Sequence, residues 1–340
     1  MSNTITEEQI MHSLGTVNDP ELHRDLVSLG FIEDVSISDS DVSFTVVLTT
    51  PACPLKDKIH QDCLEALRRD IPGIGAVKIT FGARVRRDSR LAEKKSLPVK
   101  NVIAVGAGKG GVGKSTVAVN LAVSLAVSGA GIGLLDADIY GPNIPFMLGV
   151  TEPPLQENQM ILPVEKHGLK LMSMGFLIPQ DKALVWRGPM IHSALNQLIS
   201  QVRWGELDYL IVDLPPGTGD AQMSLAQQLP ITGAVVVTTP QGVSLSDTRR
   251  GIDAFRKLNV PILGVVENMT GPMFGSGGGE AVARELEVEF LGRLPLDAAV
   301  TESGESGRPI LLREAENAFS DSFRLIAGNI AAAVSVLTAV

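Results

Sequence analysis

Apolar residues along this chain follow two different rhythms. From Asn101 onward, short aliphatic runs at 102–107, 132–135, 209–212, 234–238 and 262–266 alternate with segments of helical length. The runs are nearly continuous, without the in–out alternation of a half-exposed strand. Such runs predict an α/β fold, a mostly parallel sheet covered on both faces by helices. Residues 151–185 interrupt the pattern. There Met160 to Val164 and Leu169 to Met174, split by His167-Gly168, predict an inserted hairpin. The apolar stretch from Ile330 to Val340 predicts a last helix packed on the core.

Residues 1–90 read as a separate small α+β domain. Thr6-Glu7-Glu8-Gln9 fits a capping box, and the helix it opens carries Ile10, Met11 and Leu14 and ends near Gly15. Phe31 to Ile37 and Val42 to Leu48 predict strands, the second alternating at Val42, Phe44 and Val46. A helix with Leu55, Ile59, Cys63, Leu64 and Leu67 follows, then a strand from Ala76 to Phe81. The linker is 91–100, leaving 101–340 as the second domain. Arg84, Arg86, Arg87, Arg90, Lys94 and Lys95 cluster around it, either a solvated hinge or a partner-docking strip.

Charge and composition narrow the function. The chain has 340 residues, 44% hydrophobic and 20% charged, with net charge −9 and pI about 5.1. That balance argues against a general nucleic-acid binder. The first residues lack a basic and an apolar region, so no signal peptide is expected. No apolar run reaches membrane-spanning length, and the C-terminal stretch lacks the basic face of an interfacial helix. Two cysteines, Cys53 and Cys63, make no disulfide framework, so a cytoplasmic location is expected.

The stretch with the most chemistry is Gly108-Lys109-Gly110-Gly111-Val112-Gly113-Lys114-Ser115-Thr116. It lies between an apolar strand and an apolar-periodic helix, the context that a G-x-x-x-x-G-K-[ST] phosphate loop requires. Glycines let successive backbone N–H groups turn toward phosphate oxygens, and the helix N-terminus adds partial positive charge. Lys114 is expected on the β- and γ-phosphates of ATP, Ser115 on Mg²⁺ and Thr116 near the α-phosphate. Asp213 ends the apolar strand Leu210-Ile211-Val212 and is expected to bind the same Mg²⁺. Leu214-Pro215-Pro216-Gly217-Thr218-Gly219-Asp220 follows as a switch loop. Asp138 closes Leu134-Leu135-Asp136-Ala137-Asp138 at the carboxyl end of a strand, where ligands gather in open α/β sheets.

In the small domain, Cys53 stands before Pro54, where a helix N-cap and first turn are expected. The helix dipole would then lower its pKa and make it a reactive thiol or metal ligand. A small buried residue is the plainer alternative. Within one helix, Cys63 would lie about 15 Å along and about 280° around from Cys53, so the two thiols would not meet. Cys63 falls at an apolar position and reads as core.

The phosphate loop, with its additional Lys109, resembles the deviant P-loop ATPases, the group of MinD, ParA and the nitrogenase iron protein. That resemblance implies an ATP-dependent homodimer in which Lys109 reaches the partner's nucleotide. It also implies that Asp138 orients the attacking water. Val265-Val266-Glu267-Asn268-Met269 and Pro295-Leu296-Asp297 resemble the group's base-binding segments, which implies adenine contacts for Asn268, Pro295 and Asp297. Asp136 to Asn143, Trp186-Arg187-Gly188-Pro189 and Asp213 to Asp220 resemble the Mrp/ApbC family of iron–sulfur cluster carriers, over nearly the whole chain. Asp19-Pro20-Glu21-Leu22, Leu29-Gly30 and Thr50-Pro51-Ala52-Cys53-Pro54 resemble the small domain of iron–sulfur assembly factors, which implies a functional Cys53. The expected partners are iron–sulfur apoproteins or assembly factors.

One departure stands out. Many family members carry Cys-x-x-Cys shortly after Glu-Asn-Met, but here Thr270 to Gly279 contains no cysteine. Two jobs therefore stay open: a carrier using Cys53, and an ATP-switched adaptor holding no cluster. A positioning ATPase on membrane or DNA is the least favoured, since the tail is not basic and the chain is acidic.

Overall fold

The computed structural model describes residues 5–91, 97–177, 188–217, 219–314 and 316–339. The chain divides into two compact units, one of residues 1–86 with 331–340 and one of residues 87–330.

In the first unit, α1 (Glu7–Leu14) opens with the expected capping box. Thr6 Oγ1 accepts from Gln9 N, and Gln9 Oε1 accepts from Thr6 N. A two-residue ladder, β1 (Asn18–Asp19) with β2 (Arg24–Asp25), precedes β3 (Ile32–Ser38), β4 (Asp41–Leu48), α2 (Lys56–Asp70) and β5 (Val77–Ala83). The strands form a sheet in the order β3-β4-β5. β3 and β4 are antiparallel, whereas β5 runs parallel to β4 because α2 supplies the crossover. Val42, Phe44 and Val46 share a core with Ile10, Leu14, Ile59, Cys63 and Leu67.

In the second unit, β6 (Val99–Gly106), α3 (Lys114–Val127), β7 (Ile132–Asp136) and α4 (Ile144–Met147) come first. Four short strands follow: β8 (Gln156–Glu157), β9 (Met160–Ile161), β10 (Val164–Lys166) and β11 (Leu169–Ser173). Then come α5 (Gly188–Ser200), β12 (Leu207–Asp213), α6 (Asp220–Gln228), β13 (Gly233–Thr238) and α7 (Gly242–Lys257). The chain continues through β14 (Ile262–Thr270), α8 (Gly278–Glu285), β15 (Phe290–Pro295), α9 (Ala298–Glu305), α10 (Ile310–Arg313) and α11 (Ala318–Thr338), whose residues from 331 on count with the first unit. Among the described residues, eight strands form one sheet in the order β10-β11-β7-β12-β6-β13-β14-β15, parallel except for β10.

Two parts of this sheet differ from the sequence reading. The 151–185 segment is not simply inserted, because β11 pairs in parallel with β7 and widens the sheet. Its hairpin is β10 with β11, while Met160–Ile161 pairs elsewhere, with β8. Leu169, Leu171 and Met172 of β11 are buried, so this pairing covers apolar surface that a free hairpin would expose. β15 was not expected as a strand. Gly292 and Arg293 break its apolar run, and Gly292 makes room for Ile326 of α11, which a Cβ would meet at 2.8 Å.

Two described residues of the basic stretch are engaged. Arg87 donates to the Leu97 carbonyl, and Arg90 to Asp88 and to the Thr232 carbonyl. Lys94, Lys95, Trp186, Arg187 and Thr218 lie outside the described residues. No described helix is long and apolar enough to cross a membrane.

Candidate nucleotide site

The phosphate loop hangs between β6 and α3. Gly113 takes the left-handed conformation (φ 80°) and serves as the N-cap of α3, and Gly111 is also left-handed (φ 79°). Gly108 is required for a different reason. A Cβ there would stand 2.1 Å from the Asp247 carbonyl oxygen on α7, and the atoms it would meet are backbone. Gly110 has open space, with Pro216 Cβ the nearest atom at 3.9 Å. Gly108→Ala should therefore cost about 1–3 kcal/mol of stability and weaken ADP binding. Gly110→Ala should leave stability nearly unchanged. Thermal unfolding and ADP titration of the two variants side by side check this.

Charge is concentrated just inside the loop. Lys114 Nζ lies 2.6 Å from Asp213 Oδ1 and 3.6 Å from Asp138 Oδ2. Ser115 Oγ donates to Asp213 Oδ2 at 2.6 Å. Asp213 is wholly buried, and burial raises its pKa while the Lys114 ammonium opposes the rise. Ser115 and Asp213 are the hard oxygen donors that suit Mg²⁺, and they already stand side by side. A bound Mg²⁺ would neutralise charge on the β- and γ-phosphates. Lys109 is half-buried, with no ion pair or hydrogen bond found among the described residues. In the switch loop, the Gly217 N–H donates to the Ala107 carbonyl, which ties the loop to the phosphate loop.

Sequence reasoning passed over Asp136. Its register partner on β12 is Asp213, so two carboxyls share one row at the strand ends. Burial first, then the neighbouring Asp213, pushes the Asp136 pKa up to about 8. Its oxygens accept from Ser173 Oγ, Ile144 N and Asp138 N. The spacing Asp136-Ala137-Asp138 carried the signal, because residues two apart at a strand end point to the same face. Ser173 gave none, since its strand was read as part of an insertion.

A cavity of about 400 Å³ opens beside the loop, lined in part by Thr116, Asn143, Asn268, Pro295, Leu296 and Asp297. The structure thus brings together the three residues expected at the base, from β14, β15 and the turn beyond. Asn268 Nδ2 donates to the Val112 carbonyl at 2.8 Å, tying this wall of the cavity to the phosphate loop. Asp297 caps α9 through Ala299 N. Thr116 lines this cavity as well as following Ser115.

In the first unit, Cys53 is not a helix cap. The N-cap is Leu55 and α2 starts at Lys56, so Cys53 sits in the preceding turn. Its pKa is not lowered. Burial pushes it up to about 12, and the nearby Glu21 and Asp19 add to the rise. The thiol donates to Glu21 Oε1 at 3.9 Å. Burial, then Asp19, lifts Glu21 to about 7. Cys63 is fully buried, and both cysteines are free. At pH 8 an ordinary thiol is about one-quarter thiolate, whereas Cys53 would be about 10⁻⁴. Alkylation by iodoacetamide at pH 8 should therefore be roughly 10³-fold slower than for glutathione, and faster in Glu21→Gln. Site-resolved mass spectrometry checks both. A bound metal deprotonates a coordinating thiol outright, so this pKa does not bar ligation.

Residues 98–331 match the family described as NUBPL iron-transfer P-loop NTPase, with the short name ParA. The chain belongs to this family. Residues 7–81 match a second family, described as iron–sulfur cluster assembly protein. The iron–sulfur cluster carrier protein of Synechocystis is 48% identical, covering 98% of this chain and 99% of that one. The Escherichia coli K12 protein of the same description is 40% identical, over 94% and 90%. Among solved structures, the nucleotide-binding protein of Archaeoglobus fulgidus in complex with ADP is 34% identical. It covers 69% of this chain and 96% of its own, with a TM-score of 0.58. MinD of Pyrococcus furiosus is 25% identical, over 68% and 98%, with a TM-score of 0.54. As a member of the P-loop family, the protein is an ATPase.

Proposed function

We propose that this protein is an ATP-hydrolysing carrier that binds an iron–sulfur cluster and transfers it to apoproteins. It works as a homodimer in the cytoplasm, without nucleic acid or membrane as a partner. Lys114 holds the β- and γ-phosphates, Ser115 and Asp213 hold Mg²⁺, and Gly108, Gly110, Gly111, Val112 and Gly113 present their backbone to the phosphates. Asn268, Pro295 and Asp297 receive the adenine. Asp138 orients the attacking water, and Lys109 reaches the nucleotide of the partner. Cys53 contributes a cluster ligand.

The observation that carries this reading is the combination of two parts in one chain. One is a phosphate loop with Lys114, Ser115 and Asp213 in mutual contact. The other is a small domain of the assembly-protein family whose Cys53 is half-buried while Cys63 is sealed in the core. One chain cannot supply a full set of cluster thiolates, so Cys53 of each protomer would act with thiols from outside.

The adaptor reading is favoured by the segment that replaces Cys-x-x-Cys. Gly271 and Gly275 close it with two backbone hydrogen bonds, leaving Met273 at the exposed tip and no thiol. Anaerobic reconstitution, with iron and sulfide counted per dimer, separates the two. A labile cluster supports the carrier. ATP turnover without iron uptake supports the adaptor.

A further inference from the structure

We infer that Asp136 and Ser173 form a positioning pair that sets the Asp138 carboxyl for ATP hydrolysis, making β11 part of the catalytic framework. The carboxyl ends of three neighbouring strands are in register, with Ser173 of β11 opposite Asp136 of β7 and Asp136 opposite Asp213 of β12. In-register residues of a parallel sheet project to the same face, so these side chains form one transverse row. Ser173, Asp136 and Asp213 are all fully buried.

Asp136 collects hydrogen bonds from three directions. Oδ2 accepts from Ser173 Oγ at 2.9 Å and from Ile144 N at 3.2 Å. Oδ1 accepts from Asp138 N at 3.2 Å. The Ser173 oxygen in turn accepts from Gly175 N at 2.9 Å. One carboxyl therefore ties together the Asp138 peptide, the first residue of α4 and the end of β11. Asp138 uses its own Oδ1 to accept from Tyr140 N and Gly141 N, which folds the loop back on itself. Oδ2 remains on the Lys114 side, 3.6 Å from its Nζ. The direction of that oxygen is set by the peptide of Asp138, and Asp136 holds the peptide.

Ser173 keeps Asp136 turned correctly. Its hydroxyl and Ile144 N both address Oδ2, which leaves Oδ1 for Asp138. Without the hydroxyl, one of the two donors on Oδ2 is gone and the carboxyl can rotate. In Asp136→Asn the amide oxygen suits the side with two donors, so its NH₂ faces the Asp138 N–H and repels it. An error of about 1 Å in a catalytic group costs on the order of a hundredfold in rate.

This inference rests on the reading of Asp138 as the residue that orients water. Asp138→Asn is therefore measured first, in the full-length protein by single-turnover ATP hydrolysis. Unchanged hydrolysis there sinks that reading and, with it, this pair's purpose. With Asp138 active, Ser173→Ala should lower kcat about tenfold and Asp136→Asn about a hundredfold. KM for ATP should stay within about twofold, because neither residue lines the base cavity or the phosphate loop. In the Asp138→Asn background, neither substitution should lower the rate further, since residues acting through one group are not additive. A merely structural role predicts multiplicative losses in that background and a lower thermal midpoint for Ser173→Ala. Multiplicative losses, an effect on KM alone, or no effect of either substitution would overturn the inference while leaving Asp138 in its role.

Discussion

Lys114→Ala lowers the kcat of ATP hydrolysis by about 10³-fold or more, the scale on which one well-placed charge acts in phosphoryl transfer. The same substitution also loosens the fold. Lys114 is 6% exposed and pairs at 2.6 Å with an Asp213 that is fully buried. Removing one partner of a buried pair typically costs about 3–5 kcal/mol. Asp213 can recover part of this by taking up a proton, with Asp136 already raised beside it. Without the ammonium, the folded pKa of Asp213 rises further, so stability that is present at low pH is lost as pH increases. Denaturant titrations of wild type and variant should differ more at pH 8 than at pH 6. An equal difference at both would mean that Asp213 stays charged without Lys114.

The second large effect is on iron. Reconstituted wild type should carry iron and sulfide, and Cys53→Ser should carry close to none. Serine keeps the shape of the turn but offers an alcohol, and thiolates are the ligands of iron–sulfur clusters. Cys63 cannot substitute, being fully buried among Ile59, Leu67 and Phe44. Because ATP turnover belongs to residues 98–331, Cys53→Ser should hydrolyse ATP within about twofold of wild type. Equal iron in wild type and variant would move the ligands elsewhere in the chain. Absence of iron in both, with turnover intact, would leave the ATP-switched adaptor.

What could be read in the sequence was mostly what is local. The phosphate loop is a run of neighbours, and its glycines answer to turns and to one close approach at Gly108. The capping box at Thr6 is equally local, and so is the Asp213 strand end. Pairing partners are not local. Nothing in Leu169 to Ser173 tells which strand it joins, so the row Ser173–Asp136–Asp213 was invisible until β11 was placed beside β7. The error at Cys53 has another cause. Pro54 suits the first turn of a helix, yet Pro54 and Leu55 form a turn of their own and α2 starts at Lys56. The thiol therefore lost the dipole that was to lower its pKa, and burial raises it instead, with the carboxyls of Glu21 and Asp19 adding to the rise.

Cys53 lies in one compact unit and the phosphate loop in the other. Any influence of ATP on the cargo must then be a coupling free energy between separate sites, and such coupling is reciprocal. If bound nucleotide weakens the hold on the cluster tenfold, the cluster weakens the hold on nucleotide by the same factor, about 1.4 kcal/mol. A loaded protein would then shed nucleotide more readily than an empty one. The supply of cargo would set how often the ATPase cycle begins, as much as ATP sets how the cargo leaves.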